Sequence, residues 1–351
     1  MRNSLIIAVV LILCGCKEES STPDRLQPER IIADAIEHPE QARYGKLKLS
    51  DYGFFTGELR HLEPGENVVP YAVNAPLFSD YATKKRFIYL PEGTAMSFHP
   101  KEAFAFPDGA ILIKNFMYTD EQVEGDDRII ETRLLLKENG EWSALPYIWN
   151  NAQTEAFLDV TGAKRTVHLT DREPFTYVVP NFKQCKTCHD LNGQFTPIGP
   201  TARQLDNGKR LHTWENSGIL KTIDAHDGPV LADYHNEQID LNHRARSYLD
   251  GNCGYCHRPG GSAKNSGLDL RMYSPSSFAL GVMKGPVAAG KGSGGRAYDI
   301  VPGKPEQSIL HYRMNATDPA VMMPELGRTL IHAEGVQLIE EWIANFKSEQ
   351  L

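Results

Sequence analysis

Four cysteines and two histidines carry the sharpest chemical signal in the chain. They form Cys185-Lys186-Thr187-Cys188-His189 and Cys253-Gly254-Tyr255-Cys256-His257. Both segments read Cys-x-x-Cys-His, the spacing used for covalent c-type haem attachment. Two thiols three positions apart each add to one haem vinyl group, and the adjacent histidine then lies under the iron as proximal ligand. The residues therefore call for two covalently attached haem c groups, with Cys185, Cys188, Cys253 and Cys256 as tethers and His189 and His257 as metal ligands. Three other uses of such cysteines are weaker. A zinc site would pair the two Cys-x-x-Cys segments, a thioredoxin-like motif needs a βαβ setting absent here, and two local disulfides would suit an oxidising compartment. None explains a histidine directly after both pairs.

A haem iron has a second axial position. For the second motif the candidate is Met323, in Val321-Met322-Met323-Pro324, before the last helix. A thioether suits haem iron, and Met/His ligation raises its potential. Met322 is the fallback. For the first motif no Met-Pro pair follows Cys188. His212, His226, His235 and His243 lie downstream, and Met96, His99 and Met117 upstream, none in a recognisable ligand motif. An open face at the first haem is the expectation.

The elements that position these residues follow from pattern. Residues 29–43 read as a short helix. Strand candidates are 85–89, 110–118, 129–137, 142–149 and 175–179, separated by turn signals such as Pro107-Asp108-Gly109 and Asn139-Gly140. Such spacing predicts an antiparallel sheet, with the first motif directly after it. Helices are expected over 241–249, 306–314 and 333–346, the last with Val336, Ile339, Ile343 and Phe346 at helical spacing. Residues 258–305 are rich in Gly, Pro and Ser. This order of helix, motif, loops and terminal helix resembles a class I c-type cytochrome, in which Tyr248 and Trp342 would mark the crossing of first and last helices. The expected fold class is α+β: a β-rich antiparallel-sheet domain over 49–235 carrying the first haem, then an all-α class I cytochrome c-like domain over 236–351. Gly285-Pro286-Val287-Ala288-Ala289-Gly290-Lys291-Gly292 approaches a P-loop, but Gly292 stands where Ser or Thr is needed and no strand precedes it. A glycine loop near the haem is the better reading.

The first 16 residues, MRNSLIIAVVLILCGC, place Arg2 before a nine-residue apolar stretch and end in Leu13-Cys14-Gly15-Cys16. The stretch is too short to span a bilayer and suits a signal peptide. Its end resembles a bacterial lipobox with Cys16 as the lipidated residue. Residues 17–48 then read as a polar tether and the short helix. Lys17 after the lipidated cysteine, by resemblance to enterobacterial lipoproteins, leans towards the outer membrane. An exported, lipid-anchored, periplasm-facing protein of a Gram-negative bacterium is implied, the compartment in which c-type haem is attached.

Composition narrows the partners. The 351 residues are 41% hydrophobic, enough for a sizeable core, and the formal net charge of −8 argues against a nucleic-acid binder. Periplasmic or membrane redox proteins are the expected partners, with membrane contact through the anchor only. Several stretches resemble a family of di-haem c-type cytochrome lipoproteins of Gram-negative bacteria: Asn74–Tyr81, Ile130–Leu135, Tyr147–Asn150, Gln184–His189 with Pro197–Pro200, Arg244–Tyr248, and Met323-Pro324. That resemblance implies electron transfer. Phe106–Gly109 with Ile111–Lys114, followed by a sheet and then Cys-x-x-Cys-His, is also similar to cytochrome P460 and β-type cytochrome c′, which hold a five-coordinate haem against a sheet. No catalytic constellation is recognisable, so a carrier is favoured over a catalyst. The alternatives are a haem enzyme, peroxidase-like or P460-like, and a gas-sensing module at an open first haem. Di-haem peroxidases are helical throughout and carry their first motif near the N-terminus, unlike this chain.

Overall fold

The computed structural model describes residues 45–123, 127–205, 209–221, 228–287 and 289–346. The lipobox, Cys16, the tether, the 29–43 helix and His226 lie outside these residues.

Six strands form one antiparallel meander: β1 (Val68–Tyr71), β2 (Thr83–Tyr89), β3 (Ile111–Tyr118), β4 (Arg128–Glu138), β5 (Glu141–Trp149) and β6 (Ala156–Leu158), paired in chain order. The strands expected at 85–89, 110–118, 129–137 and 142–149 are all present within a residue or two. Asn139-Gly140 closes the β4–β5 hairpin with both residues at positive φ, the geometry a two-residue hairpin requires. A separate hairpin pairs β7 (Ala163–Val167) with β8 (Phe175–Val179).

Alternation along the strands gives the sheet two different faces. One face is mainly apolar: Phe87, Ile113, Leu134, Leu145 and Tyr147 pack against Leu49, Phe54 and Leu62 from the segment before the sheet, and the buried Asn115 and Thr132 on it bond to each other at 2.5 Å. The other face changes character along each strand. Ile88 and Leu112 join an apolar cluster with Phe104, Phe106 and Trp214. Phe116, Ile130 and Ile148 join another with Val167 and Tyr177 of the β7–β8 hairpin. Between these patches stand Arg86, Lys114 and Arg133, in cross-strand register.

The expected α+β division, with an all-α class I cytochrome c-like domain over 236–351, is not met. The described part of that segment holds helices of 12, 4, 6 and 12 residues, at Leu241–Asn252, Ser277–Leu280, Ile309–Met314 and Ala333–Ala344. The rest is loop and single 3₁₀ turns, tied by isolated parallel bridges such as Val282 with Ile300 and Tyr298 with Ser308. The cause is the Gly-, Pro- and Ser-rich run from 258 to 305, which favours turns over helix. The segment is not a separate unit either. Its core includes Ala75 from the loop between β1 and β2, and Leu231 and Tyr234. Asp80, from that same loop, accepts hydrogen bonds from Thr329 N at 2.7 Å and Leu330 N at 2.7 Å. The architecture is thus a sheet-dominated, interlocked fold.

The helices at Leu241–Asn252 and Ala333–Ala344 do pack together. Tyr248 lies over Gly335, where a Cβ would stand 2.4 Å from the tyrosine hydroxyl. Trp342 Nε1 donates to Asn242 Oδ1 at 2.9 Å. Among the described residues no helix is long and apolar enough to cross a membrane.

Candidate functional site

The first motif sits on an eight-residue helix, α1 (Phe182–His189), built by its own sequence. Asn181 and Gln184 form a reciprocal capping box: Gln184 N donates to Asn181 Oδ1 and Asn181 N donates to Gln184 Oε1, both at 2.9 Å. Helical spacing then puts Cys185, Cys188 and His189 on one face, since residues three and four apart are neighbours. A small hairpin follows at once. Asp190–Leu191 pairs with Gln194–Phe195 around Asn192-Gly193, both at positive φ. It supplies two holds on His189. Phe195 stacks on the imidazole at 5.1 Å and 8°, and the Thr196 carbonyl lies 3.0 Å from Nδ1. A carbonyl can only accept, so Nδ1 carries the proton and Nε2 is left with its lone pair. Burial, with lesser help from Lys114 and Arg133, pushes this histidine down to about 4. It is therefore neutral at neutral pH, as a metal ligand must be.

The second motif extends the helix at Leu241–Asn252, whose N-terminus is capped by Asp240 accepting from His243 N. His257 N donates to Cys253 O at 2.9 Å, one further helical turn. His257 Nδ1 lies 3.0 Å from Ser266 Oγ. The Ser266 hydroxyl gives its only proton to Ala263 O at 2.7 Å, so His257 Nδ1–H must donate and Nε2 is again free. Burial pushes this imidazole also to about 4, with Arg313 adding to the shift.

Each motif faces its own cavity. One, of about 340 Å³, is lined by Cys185, Cys188 and His189 together with the sheet face that bears Arg86, Lys114 and Arg133. The other, of about 520 Å³, is lined by Cys253, Cys256, His257 and Met323. Both volumes fall in the range of small-molecule sites. Cys188 and Tyr255 line both cavities. There the two motifs meet. Cys256 Sγ donates to Thr187 O of the first motif at 3.8 Å, and the nearness of the Cys188 and Cys256 thiols pushes Cys188 up and draws Cys256 down. Desolvation pushes up both Cys185, which is buried, and Cys253, which is half-buried, the latter to about 12.

The donor set at each cavity, two thiols and one oriented imidazole, fits a covalently tethered haem. The four cysteines are free thiols, unlike the local-disulfide alternative. Among the described residues no three His, Cys, Asp or Glu side chains converge as a bare metal ion would need. This goes against the paired zinc site, because Cys185 and Cys253 face different cavities.

Met323, not Met322, lines the cavity of His257; Met322 is buried elsewhere. The Met323 loop is fixed by Arg328, a side chain 5% exposed. Its guanidinium donates to the carbonyls of Met323 (2.9 Å), Ala316 (2.9 Å), Leu330 (3.0 Å), Met314 (3.2 Å) and Arg313 (3.3 Å). Pro286, Val287 and Ala289 of the glycine loop also reach this cavity.

None of the described histidine and methionine candidates for the first site lines its cavity. Met96 belongs to the Phe104 cluster and Met117 to the opposite sheet face. His99 Nδ1 accepts from Lys101 N and Glu102 N, His212 pairs with Glu215 at 3.6 Å, His235 is exposed, and His243 Nε2 lies 2.8 Å from Val230 O. The polar residues on that wall were not singled out by sequence reasoning. Glu131, fully buried, accepts from Arg133 at 2.5 and 2.8 Å and from Tyr177 Oη at 2.6 Å. Burial disfavours the Arg133 cation, but the Glu131 carboxylate outweighs it and holds Arg133 charged. Charged residues inside otherwise apolar strands were the available signal.

No family model, curated protein or solved structure matches the chain. The likenesses to di-haem cytochrome lipoproteins and to the P460 fold therefore rest on sequence motifs alone.

Proposed function

We propose that the chain is a periplasm-facing, lipid-anchored di-haem c-type cytochrome that passes electrons between periplasmic or membrane redox partners. One observation carries the reading. Two cavities, each walled by a cysteine pair and a histidine with Nε2 free, adjoin at Cys188 and Tyr255. A bound haem supplies one-electron chemistry at its iron. The chain's own residues do the rest. Thr196 and Ser266 fix the tautomers of His189 and His257. Met323 would offer its thioether sulfur to a haem at the His257 site, and Arg328 holds its loop. The shared wall keeps the two sites in contact, as a relay needs. Cys16 is the anchor at the membrane.

The test is the intact mass of the mature full-length protein after acid extraction of loosely held haem. Two haem additions are expected; a single addition, or bound zinc, would overturn the proposal. Failure of labelled palmitate to enter the wild type, or entry into Cys16→Ser, would remove the anchor.

A second reading, that the first haem also binds a small ligand, is favoured by one feature. Among the described residues no histidine or methionine besides His189 faces the first cavity. Carbon monoxide should then bind the reduced protein at one haem only, and that response should vanish in His189→Ala. Two low-spin haems inert to carbon monoxide would leave the carrier alone.

A further inference from the structure

The wall of the first cavity carries an arrangement that the two motifs do not explain. Arg86 on β2 stands opposite Lys114 on β3, and Lys114 stands opposite Arg133 on β4. Directly opposed residues in antiparallel strands have Cβ atoms roughly 5 Å apart, and like charges so placed are destabilising. All three side chains line the same cavity. Arg133 is answered by Glu131. The other cations on this wall are answered too: Arg203 by Asp250 at 2.9 Å, Arg258 by Glu102 at 2.5 Å, and Lys137 by the Phe106 carbonyl at 2.7 Å. Neither Arg86 nor Lys114 forms an ion pair or a hydrogen bond among the described residues; Glu131 pulls on Lys114 from a distance, but its oxygens are bonded to Arg133 and Tyr177. The nearest relief for Lys114 is the Phe116 ring at 4.6 Å. Apolar clusters flank the row on both sides along the strands, and Arg86 and Lys114 are both half-buried. Burial and the mutual repulsion of Arg86, Lys84 and Arg133 push the Lys114 ammonium down. A fold that places two unanswered cations side by side in a cavity is built for an anion.

We propose that Arg86 and Lys114, backed by Arg133, form a binding site for anionic oxygen on the sheet wall of the first cavity. Two sources share that chemistry: a small free oxyanion taken up at the first site, and the propionate carboxylates of the first haem. The propionate arm rests on the haem reading; the free-anion arm does not.

The experiment uses full-length mature protein, wild type and Lys114→Met, with Arg86→Gln as a second variant and Lys114→Arg as the charge-keeping control. Sodium nitrite is the probe, read by calorimetry and by its effect on thermal unfolding. For a free oxyanion, wild type binds nitrite, and Lys114→Met and Arg86→Gln each lose about tenfold in affinity, the usual loss for one charge-assisted hydrogen bond. Lys114→Arg keeps most of it. Nitrite raises the melting temperature of the wild type and not of Lys114→Met. For the propionates, wild type ignores nitrite, and the propionate bending bands in the resonance Raman spectrum shift in both neutral variants. Nitrite affinity and propionate bands unchanged in folded Lys114→Met and Arg86→Gln would overturn the site. So would variants destabilised without any change in nitrite response or propionate bands, since removing an unanswered cation should not by itself weaken the fold. If Lys114→Met fails to fold, Arg86→Gln is read alone against the same outcomes. A chain whose mass shows no haem, yet which binds nitrite in an Arg86- and Lys114-dependent way, would sink the cytochrome reading and keep the anion site. A haem-free chain that ignores nitrite would sink both.

Discussion

The two cavities solve one problem with different materials. At the first, His189 is held by a backbone carbonyl, Thr196 O, and by a stacked ring on a tight hairpin. The wall opposite is a sheet, rigid and cross-linked, and its polar groups are buried charges. At the second, His257 is held by a side chain, Ser266. The wall opposite is a loop carrying Met323, kept in shape by one arginine. Side-chain holds can be removed by a single substitution and backbone holds cannot. The sheet-backed site should therefore fail through loss of fold, and the loop-backed site through loss of ligand geometry.

The largest effect expected is at the sheet. Glu131 is completely buried, and replacing it by Leu leaves Arg133 charged and unpaired and strips Tyr177 of its acceptor. Breaking a buried ion pair from one side costs about 3–5 kcal/mol. Glu131→Leu should lower the unfolding free energy by that amount, read from denaturant titration, whereas the double substitution Glu131→Leu with Arg133→Met should recover most of it. A Glu131→Leu protein as stable as wild type would remove the sheet's charge network from the comparison.

Next comes a pH effect on the second region. His332 lines the second cavity, stacks on Phe78 at 4.2 Å and shares a hydrogen bond with Tyr248 Oη at 3.1 Å. Burial pushes it from 6.5 down to about 4, against the pull of Glu334, with His235, Lys84 and Arg328 adding to the shift. The unfolded chain binds a proton below about pH 6.5 that the folded chain refuses until about pH 4. Stability from this group is thus complete above pH 6.5 and drains away as pH falls to about 4, by up to about 3 kcal/mol. Urea midpoints measured between these limits should show the slope, and His332→Gln should make it shallower, since His189 and His257, where free, are pushed down alike. An equal slope in both proteins would assign the loss to other groups.

Arg328→Met tests the loop directly. Hydrogen bonds from a charged donor are worth about 1.5–3 kcal/mol, and this guanidinium serves several carbonyls at once. Stability should fall by an amount in that range, and, on the proposed Met323 ligation of a haem at this site, the weak near-infrared sulfur-to-iron band should fade along with it. Met323→Ala should abolish the band and lower the potential of that haem; Met322→Ala should leave both. A full band in Met323→Ala would pass the role to Met322.

What could be read in advance divides along physical lines. The strands were legible because their apolar alternation and turn residues are local, and Asn139-Gly140 and Pro107-Asp108-Gly109 act within a few residues. The motif residues stood out because their spacing is local, and each Cys pair lines one cavity with its own histidine. The division into a sheet domain and an all-α domain was misread, because short helices at 241–252 and 333–344 follow a helical period whether or not the residues between them are helical. Nothing local says that Asp80 reaches Thr329 and Leu330, 249 and 250 residues away. The cation row was hidden for the same reason. Lys114 and Arg86 look like ordinary interruptions of two strands until register sets them side by side.

The smallest expected effect is the most specific to the comparison. Ser266 Oγ accepts from His257 Nδ1 at 3.0 Å and from Leu268 N at 3.3 Å, and donates to Ala263 O at 2.7 Å. Ser266→Ala removes all three bonds with little change of volume. The buried Nδ1–H then lacks an acceptor, a loss of about 1–2 kcal/mol, softened if water enters the adjoining cavity. The electronic effect has a definite sign. A hydrogen bond accepted from Nδ1–H gives the imidazole more anionic character and makes Nε2 a stronger donor to iron, which favours the oxidised state. Without it the potential of the second haem should rise, and Ser266→Thr, which keeps the hydroxyl, should restore it. The first haem should not move, because its Nδ1 partner is a carbonyl that no side-chain substitution removes. A redox titration resolving the two haems reads both results at once. Equal movement of the two potentials, or none in either, would show that the side-chain hold on His257 is no different in kind from the backbone hold on His189.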